Sequence, residues 1–168
     1  MTATTRMKMS FKDRVRQQLG DKEKLLFDDD ELDSFIEGHS APFRTNVTLA
    51  AHDNKYKLCC CTPVNDLRLD SGYDVDGVYT LDEGSGTIVF DVNDPANSGT
   101  PPADGDTMEI SYYEVDYAEL MSELFWTLSS NHAKLAVASS VMGVSMNLTA
   151  LSDLFFKKST QWKAEGCG

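Results

Sequence analysis

Residues 117–128 constrain the fold more than any other stretch of the chain. Tyr117, Leu120, Met121, Leu124, Phe125 and Leu128 recur at the spacing of one face of an amphipathic helix. Six large side chains on one face have to be buried. In a second periodic run Leu148, Leu151, Phe155 and Trp162 share a stripe that Leu154 widens, and Lys157, Lys158 and Lys163 fall near the helix end, where cations suit the macrodipole. Between the two runs, residues 131–138 form a shorter segment, entered through Ser129 and Ser130 and left through Ser139, Ser140 and Gly143. The chain therefore closes as helix, bend, short helix, loop, helix. Phe155 and Phe156 are adjacent, so they point about 100° apart and cannot both fill a narrow stripe. Either the last helix is buried on two sides, or one ring faces a neighbour.

Toward the N-terminus, Ser10 reads as the cap of a helix over residues 11–19, with Phe11, Val15 and Leu19 on one face and Gly20 to stop it. After a lysine-containing linker, Asp28, Asp29, Asp30 and Glu31 open a second helix whose apolar face is Leu32, Phe35 and Ile36. Residues 44–51 satisfy neither period and are compatible with helix or strand. From Lys55 the pattern turns to β. Strands are expected over 56–61, 73–81, 87–92 and 108–115, with a hairpin turn at Glu83, Gly84, Ser85 and Gly86 and a long Pro- and Gly-containing loop over 93–106. The expected architecture is an α+β fold in one domain of 168 residues. A small helical bundle comes from residues 10–54 and 117–165, and an antiparallel β module of about four strands, residues 55–116, is inserted between them.

With 27 acidic and 15 basic residues the formal charge is −12, which argues against a protein that grips nucleic acid by neutralising phosphates. Residues 64–119 hold fourteen acids and one base, Arg68, a net −13 that leaves +1 for the remainder. No apolar run reaches the length of a membrane span, and residues 1–10 lack the apolar core of a secretory signal, so a soluble protein made in the cytosol is expected. Cys59, Cys60 and Cys61 sit on alternating faces of a strand and cannot converge on one zinc with Cys167. They read as small buried hydrophobes in a reducing compartment.

The sharpest local motif is acidic. Asp74, Asp76, Gly77 and Glu83 match the third, fifth, sixth and twelfth positions of a calcium loop, but Gly72 stands where the first carboxylate belongs and the flanks read as strand and turn. A calcium-binding β module is thus one alternative reading. His39, His52 and His132 lie in separate segments without a nucleophile motif, and the glycines at 84 and 86 do not open a helix, so neither an enzyme nor a phosphate cradle is expected. No cofactor is implied.

The order of parts resembles the head-to-tail adaptor (connector) proteins of tailed bacteriophages. The resemblance spans residues 10–164: N-terminal helices, the run VNDLRLDSGYDVDGVYTLDEGSGTIVF, the strand PPADGDTMEISYY, and then AELMSELFWTLSSNHAKLAVASSVMGVSMNLTALSDLFFKKSTQWKAEG. Its most telling part is the C-terminal triplet, with NHAKLAVAS between the long helices and the last helix opened by Asn147, where an aspartate cap is expected. The resemblance implies a structural virion neck protein, assembled in the host cytoplasm as a ring, commonly a dodecamer, that docks on the portal and meets a tail or stopper protein. DNA passes through without specific binding, and no membrane is involved. In that setting Asp74, Asp76, Asp82, Glu83, Asp104 and Asp106 are candidates to face the channel and repel phosphate. Phe155, Phe156, Trp162 and Lys163 are candidates for portal or subunit contact. Another neck, stopper or tail-completion protein is the nearest alternative.

Overall fold

The computed structural model describes residues 4–48, 55–57, 63–71, 78–90, 107–141 and 147–165. In chain order these form β1 (Thr4–Met9), α1 (Phe11–Leu19), α2 (Asp29–Gly38), β2 (Ser40–Thr48), β3 (Lys55–Lys57), β4 (Val64–Ser71), β5 (Val78–Asp82), β6 (Thr87–Phe90), β7 (Thr107–Val115), α3 (Tyr117–Ser130), α4 (His132–Val141) and α5 (Leu148–Glu165). The α+β class expected from the sequence is what the chain adopts. It divides into a β unit, Met1–Phe11 with Ala41–Val115, and a helical unit, Lys12–Ser40 with Asp116–Gly168. The boundary falls near Ser40 and not at residue 54, because Ser40–Thr48, which takes in the ambiguous stretch from residue 44 to 48, is a strand; residues 49–51 of that stretch lie outside the described residues.

The β unit holds two sheets where one of about four strands was expected: β1-β5-β6-β3 and β2-β7-β4. It is not wholly antiparallel either, since β1 runs parallel to β5, with Thr4 opposite Val78 and Met7 opposite Leu81. The expected hairpin is present, pairing β5 with β6 from Tyr79 opposite Phe90 to Asp82 opposite Thr87, and Gly86 supplies the left-handed turn residue at φ 61°. β4 pairs antiparallel with β7, and its register slips between Asn65 and Arg68, where Asp66 takes φ 50°. That bulge brings Val64 and Leu67 to the same buried cluster although they are three residues apart. Tyr79, Leu81, Ile88, Ile110 and Tyr112 complete the cluster. β2 lies at a sheet edge, which accommodates Pro42.

In the helical unit every member of the Tyr117–Leu128 stripe is buried. α5 packs antiparallel along α3, as four contacts show: the Tyr117 and Trp162 rings meet edge-on at 5.5 Å, the Ser122 and Ser159 hydroxyls lie 3.3 Å apart, the Phe125 and Phe155 ring centroids are 5.9 Å apart, and the Ser152 hydroxyl donates to the Ser129 carbonyl at 2.7 Å. Asn147 caps α5 by accepting the Ala150 N–H at 2.7 Å. α2 opens with a capping box in which Asp28 accepts from the Glu31 N–H and Glu31 accepts from the Asp28 N–H.

The link from α1 to α2 is built around a buried charge pair. Asp21, fully buried, accepts the N–H groups of Leu25, Leu26 and Phe27 at 2.8, 3.0 and 3.1 Å. Arg16 closes the cluster from α1, with Nη1 donating to Asp21 and to the Phe27 carbonyl, both at 2.9 Å, and Nη2 donating to Asp29 at 2.8 Å. Lys24 and Arg16 together hold the Asp29 carboxyl below the usual carboxylate range. From α4, Lys134 donates to the Leu26 carbonyl and to Glu31 while lying 4.5 Å over the Phe27 ring. The loop is thus held from three helices.

Candidate functional site

The residues that the sequence points to fall into three groups. Asp74, Asp76, Asp104 and Asp106 lie outside the described residues, as do Cys59, Cys60, Cys61 and Cys167. Asp82 and Glu83 sit at the β5–β6 turn. Phe155, Phe156, Trp162 and Lys163 lie on α5.

Glu83 is a correction. Read from sequence as a channel-facing acid and a calcium ligand, it is 5% exposed, and both carboxylate oxygens are engaged: Oε2 accepts the Phe11 N–H at 2.6 Å and Oε1 the Leu67 N–H at 3.2 Å. Its backbone joins the same knot, accepting from Val64 and donating to the Met9 carbonyl, each at 3.0 Å. A carboxylate spent on two amides has little left for a cation and does not face a channel. Asp82, by contrast, is half-buried at the turn surface and accepts the Ser85 N–H. Among the described residues no three His, Cys, Asp or Glu side chains are grouped to hold a metal.

Burial pushes the Glu83 carboxyl above its ordinary 4.5, outweighing the backbone donors of Phe11, Leu67 and Asp66, and the charge of Asp66 adds to the rise. A raised folded-state value means that the folded chain holds the proton more tightly than the unfolded one. The resulting stabilisation is full below pH 4.5 and is lost as pH climbs through the raised value. Urea titrations from pH 4 to 8 should therefore show the parent chain losing stability relative to Glu83→Gln across that window and levelling off above it. A flat difference contradicts the assignment.

On α5 the two phenylalanines part company. Phe155 is fully buried against Phe125, so it is core and not a contact residue, whereas Phe156 is 53% exposed. Trp162 is half-buried, edge-on to Tyr117, whose phenol burial pushes up to about 12. Lys163 is exposed. Trp126 on α3, outside the periodic stripe, is 55% exposed. Its signal was available: it directly follows Phe125, a stripe residue, and so must stand about 100° off the buried face.

No family model and no curated protein matches this chain.

A shallow cleft in the helical unit is lined by Ser34, Phe35, Gly38, His39 and Glu123, and His39 Nε2 contacts Glu123 Oε2 across it. Ser34 donates its hydroxyl to the Asp30 carbonyl, as a helical serine commonly does. The cleft thus offers one imidazole–carboxylate pair. It can hold a proton or a hydrogen-bonding group, but among the described residues it has no activated nucleophile beside it.

Charge is distributed more evenly than the sequence window suggests. Divided along the two units, thirteen acids and six bases give the β unit −7, and fourteen acids and nine bases give the helical unit −5. The helical unit is not neutral. The window of residues 64–119 omits Arg6, Lys8, Lys55 and Lys57, which β1 and β3 bring to the edges of the four-stranded sheet, and it stops inside α3. Basic residues on edge strands are a common defence against edge-to-edge pairing.

Proposed function

We propose that this chain is a structural, non-catalytic virion neck protein: a head-to-tail adaptor that assembles as a ring on the portal and continues the DNA channel toward a tail or stopper protein. One observation carries the reading. Lys12–Ser40 and Asp116–Gly168 fold together into one helical unit, closed by the antiparallel α3/α5 pair with short α4 between them, while Ala41–Val115 belongs to a β unit with the N-terminal strand. That is the order of parts the resemblance implies. The C-terminal end of α5 and the residues beyond it are the proposed portal contact; residues 166–168 lie outside the described residues.

The acid candidates for the channel are Asp74, Asp76, Asp82, Asp104 and Asp106, without Glu83. A row of such carboxylates repels DNA phosphate over about one Debye length, roughly 8 Å in physiological salt, and keeps the duplex sliding. The calcium alternative loses its strongest ligand with Glu83 and is the weaker reading.

Electron microscopy of the purified protein, alone and mixed with portal, tests the proposal. Rings coaxial with the portal are expected. Dispersed particles that never join the portal end the adaptor reading.

A further inference from the structure

Trp126 and Phe156 are 55% and 53% exposed, the two aromatic side chains more than half exposed among the residues of described burial. Each directly follows a residue of the α3/α5 contact, since Phe125 and Phe155 lie 5.9 Å apart. In an antiparallel pair, one residue's advance turns both helices by about 100° toward the same side. The two rings therefore emerge at one height on one face. Along the seam between them lie hydroxyls: Ser122 with Ser159, and Ser152 with Ser129. In line with the rings charge enters at one end only, while Glu123 and Asp153, each three residues before a ring and so about 60° off it, stand at the flanks. Glu119 lies two turns before Trp126 on α3 and Lys163 two turns after Phe156 on α5; the helices run in opposite directions, so both reach the same face at the same end. Both are exposed.

We propose that this face binds a second copy of this chain about a two-fold axis running parallel to the helices. Such an axis lays α3 against the partner's α5 without shifting height. Trp126 then meets the partner's Phe156, and Glu119 meets the partner's Lys163, twice over. A two-fold axis perpendicular to the helices sets the charged end against serines and leaves both charges without counterparts. At −12, copies repel one another broadly, so a self-contact needs a face whose charges complement themselves. At its Glu119 and Lys163 end this face does so in one orientation, with the acidic Glu123 and Asp153 left at the rim.

Two helices of this length side by side present about 20 Å by about 20 Å, so the contact buries on the order of 800 Å² in total. That is below the roughly 1,200–2,000 Å² of stable interfaces. The expected pair is weak, populated at roughly tens of micromolar and above. The inference does not rest on the adaptor reading: ring closure joins two different surfaces, whereas a two-fold contact uses one surface twice.

Sedimentation velocity of the full chain between about 5 and 500 µM, at low salt, reads the pair directly. A concentration-dependent shift from monomer to dimer is expected. Trp126→Ser combined with Phe156→Ser should move its midpoint at least about tenfold while leaving the circular dichroism spectrum unchanged, because both side chains are exposed. Glu119→Lys alone and Lys163→Glu alone should each weaken the pair about threefold or more, and the two together should restore it. A chain that stays monomeric to 500 µM overturns the inference. So does a dimer indifferent to the serine variants, or a charge exchange without rescue. If the serine variants abolish portal binding by a monomeric parent, the face belongs to the portal; the inference then fails and the adaptor reading stands. A dimer with the expected variant pattern and no ring or portal binding has the opposite meaning.

Discussion

Replacing Arg16 by Met is expected to lower the unfolding temperature of the chain by about 10 °C, corresponding to a loss of about 3–5 kcal/mol. The guanidinium is 6% exposed and its Asp21 partner is fully buried, so water does not screen the pair. Met fills much of the same space but leaves Asp21 as a buried carboxylate held by three backbone N–H groups with no cation beside it. It also leaves the Phe27 carbonyl without its side-chain donor. Arg16→Lys should recover part of the loss and no more, because one ammonium cannot reproduce a fork that reaches Asp21, Phe27 and Asp29 together. Asp21→Asn should destabilise as well, since an amide offers only one acceptor oxygen where the carboxylate uses both. The double variant should cost less than the two single losses added. Helical circular dichroism during thermal and urea unfolding measures all four chains. A loss below about 1 kcal/mol for Arg16→Met would falsify the view that this cluster organises the α1–α2 loop.

Nothing in the residues singled Arg16 out. On its helix it is one of several polar residues between apolar ones, and in sequence Asp21 belongs to a lysine-containing linker. The one clue is the run Leu25, Leu26, Phe27 directly before the acidic start of α2: apolar side chains in a linker have to be covered, and their backbone amides then need acceptors. Where periodicity was strong and local, the sequence was legible. The α3 stripe, the acidic start of α2 and the β5–β6 turn each depend on residues within about three turns of one another, and each is found as expected.

β1 and β4 do not meet that condition. β1 finds its partner in β5 more than seventy residues away and carries Arg6 and Lys8, so it reads as a polar leader. β4 is interrupted by the bulge at Asp66, which breaks the alternation a strand is recognised by. Glu83 differs from its sequence appearance for a related reason. Its position in a Gly-rich turn is what an exposed acid shows, and only the approach of Phe11 and Leu67, seventy-two and sixteen residues distant, makes it a buried acceptor.

The neighbours Phe155 and Phe156 should respond to the same substitution in opposite ways. Phe155→Ala removes a fully buried ring stacked beside Phe125, so the loss combines transfer of the ring with a cavity the surrounding helices fill only in part, about 3–5 kcal/mol. Phe156→Ala removes a ring already more than half in water and should change stability by no more than about 0.5 kcal/mol. The comparison has to be made well below the concentrations at which copies pair, because a ligand or partner bound only to the folded state adds apparent stability by mass action. At high concentration Phe156→Ala should then destabilise as well, while the Phe155→Ala loss persists at every dilution. Equal losses for the two variants in dilute solution are the result that contradicts the α5 orientation, and with it the placement of Phe156 and Trp126 on one outward face.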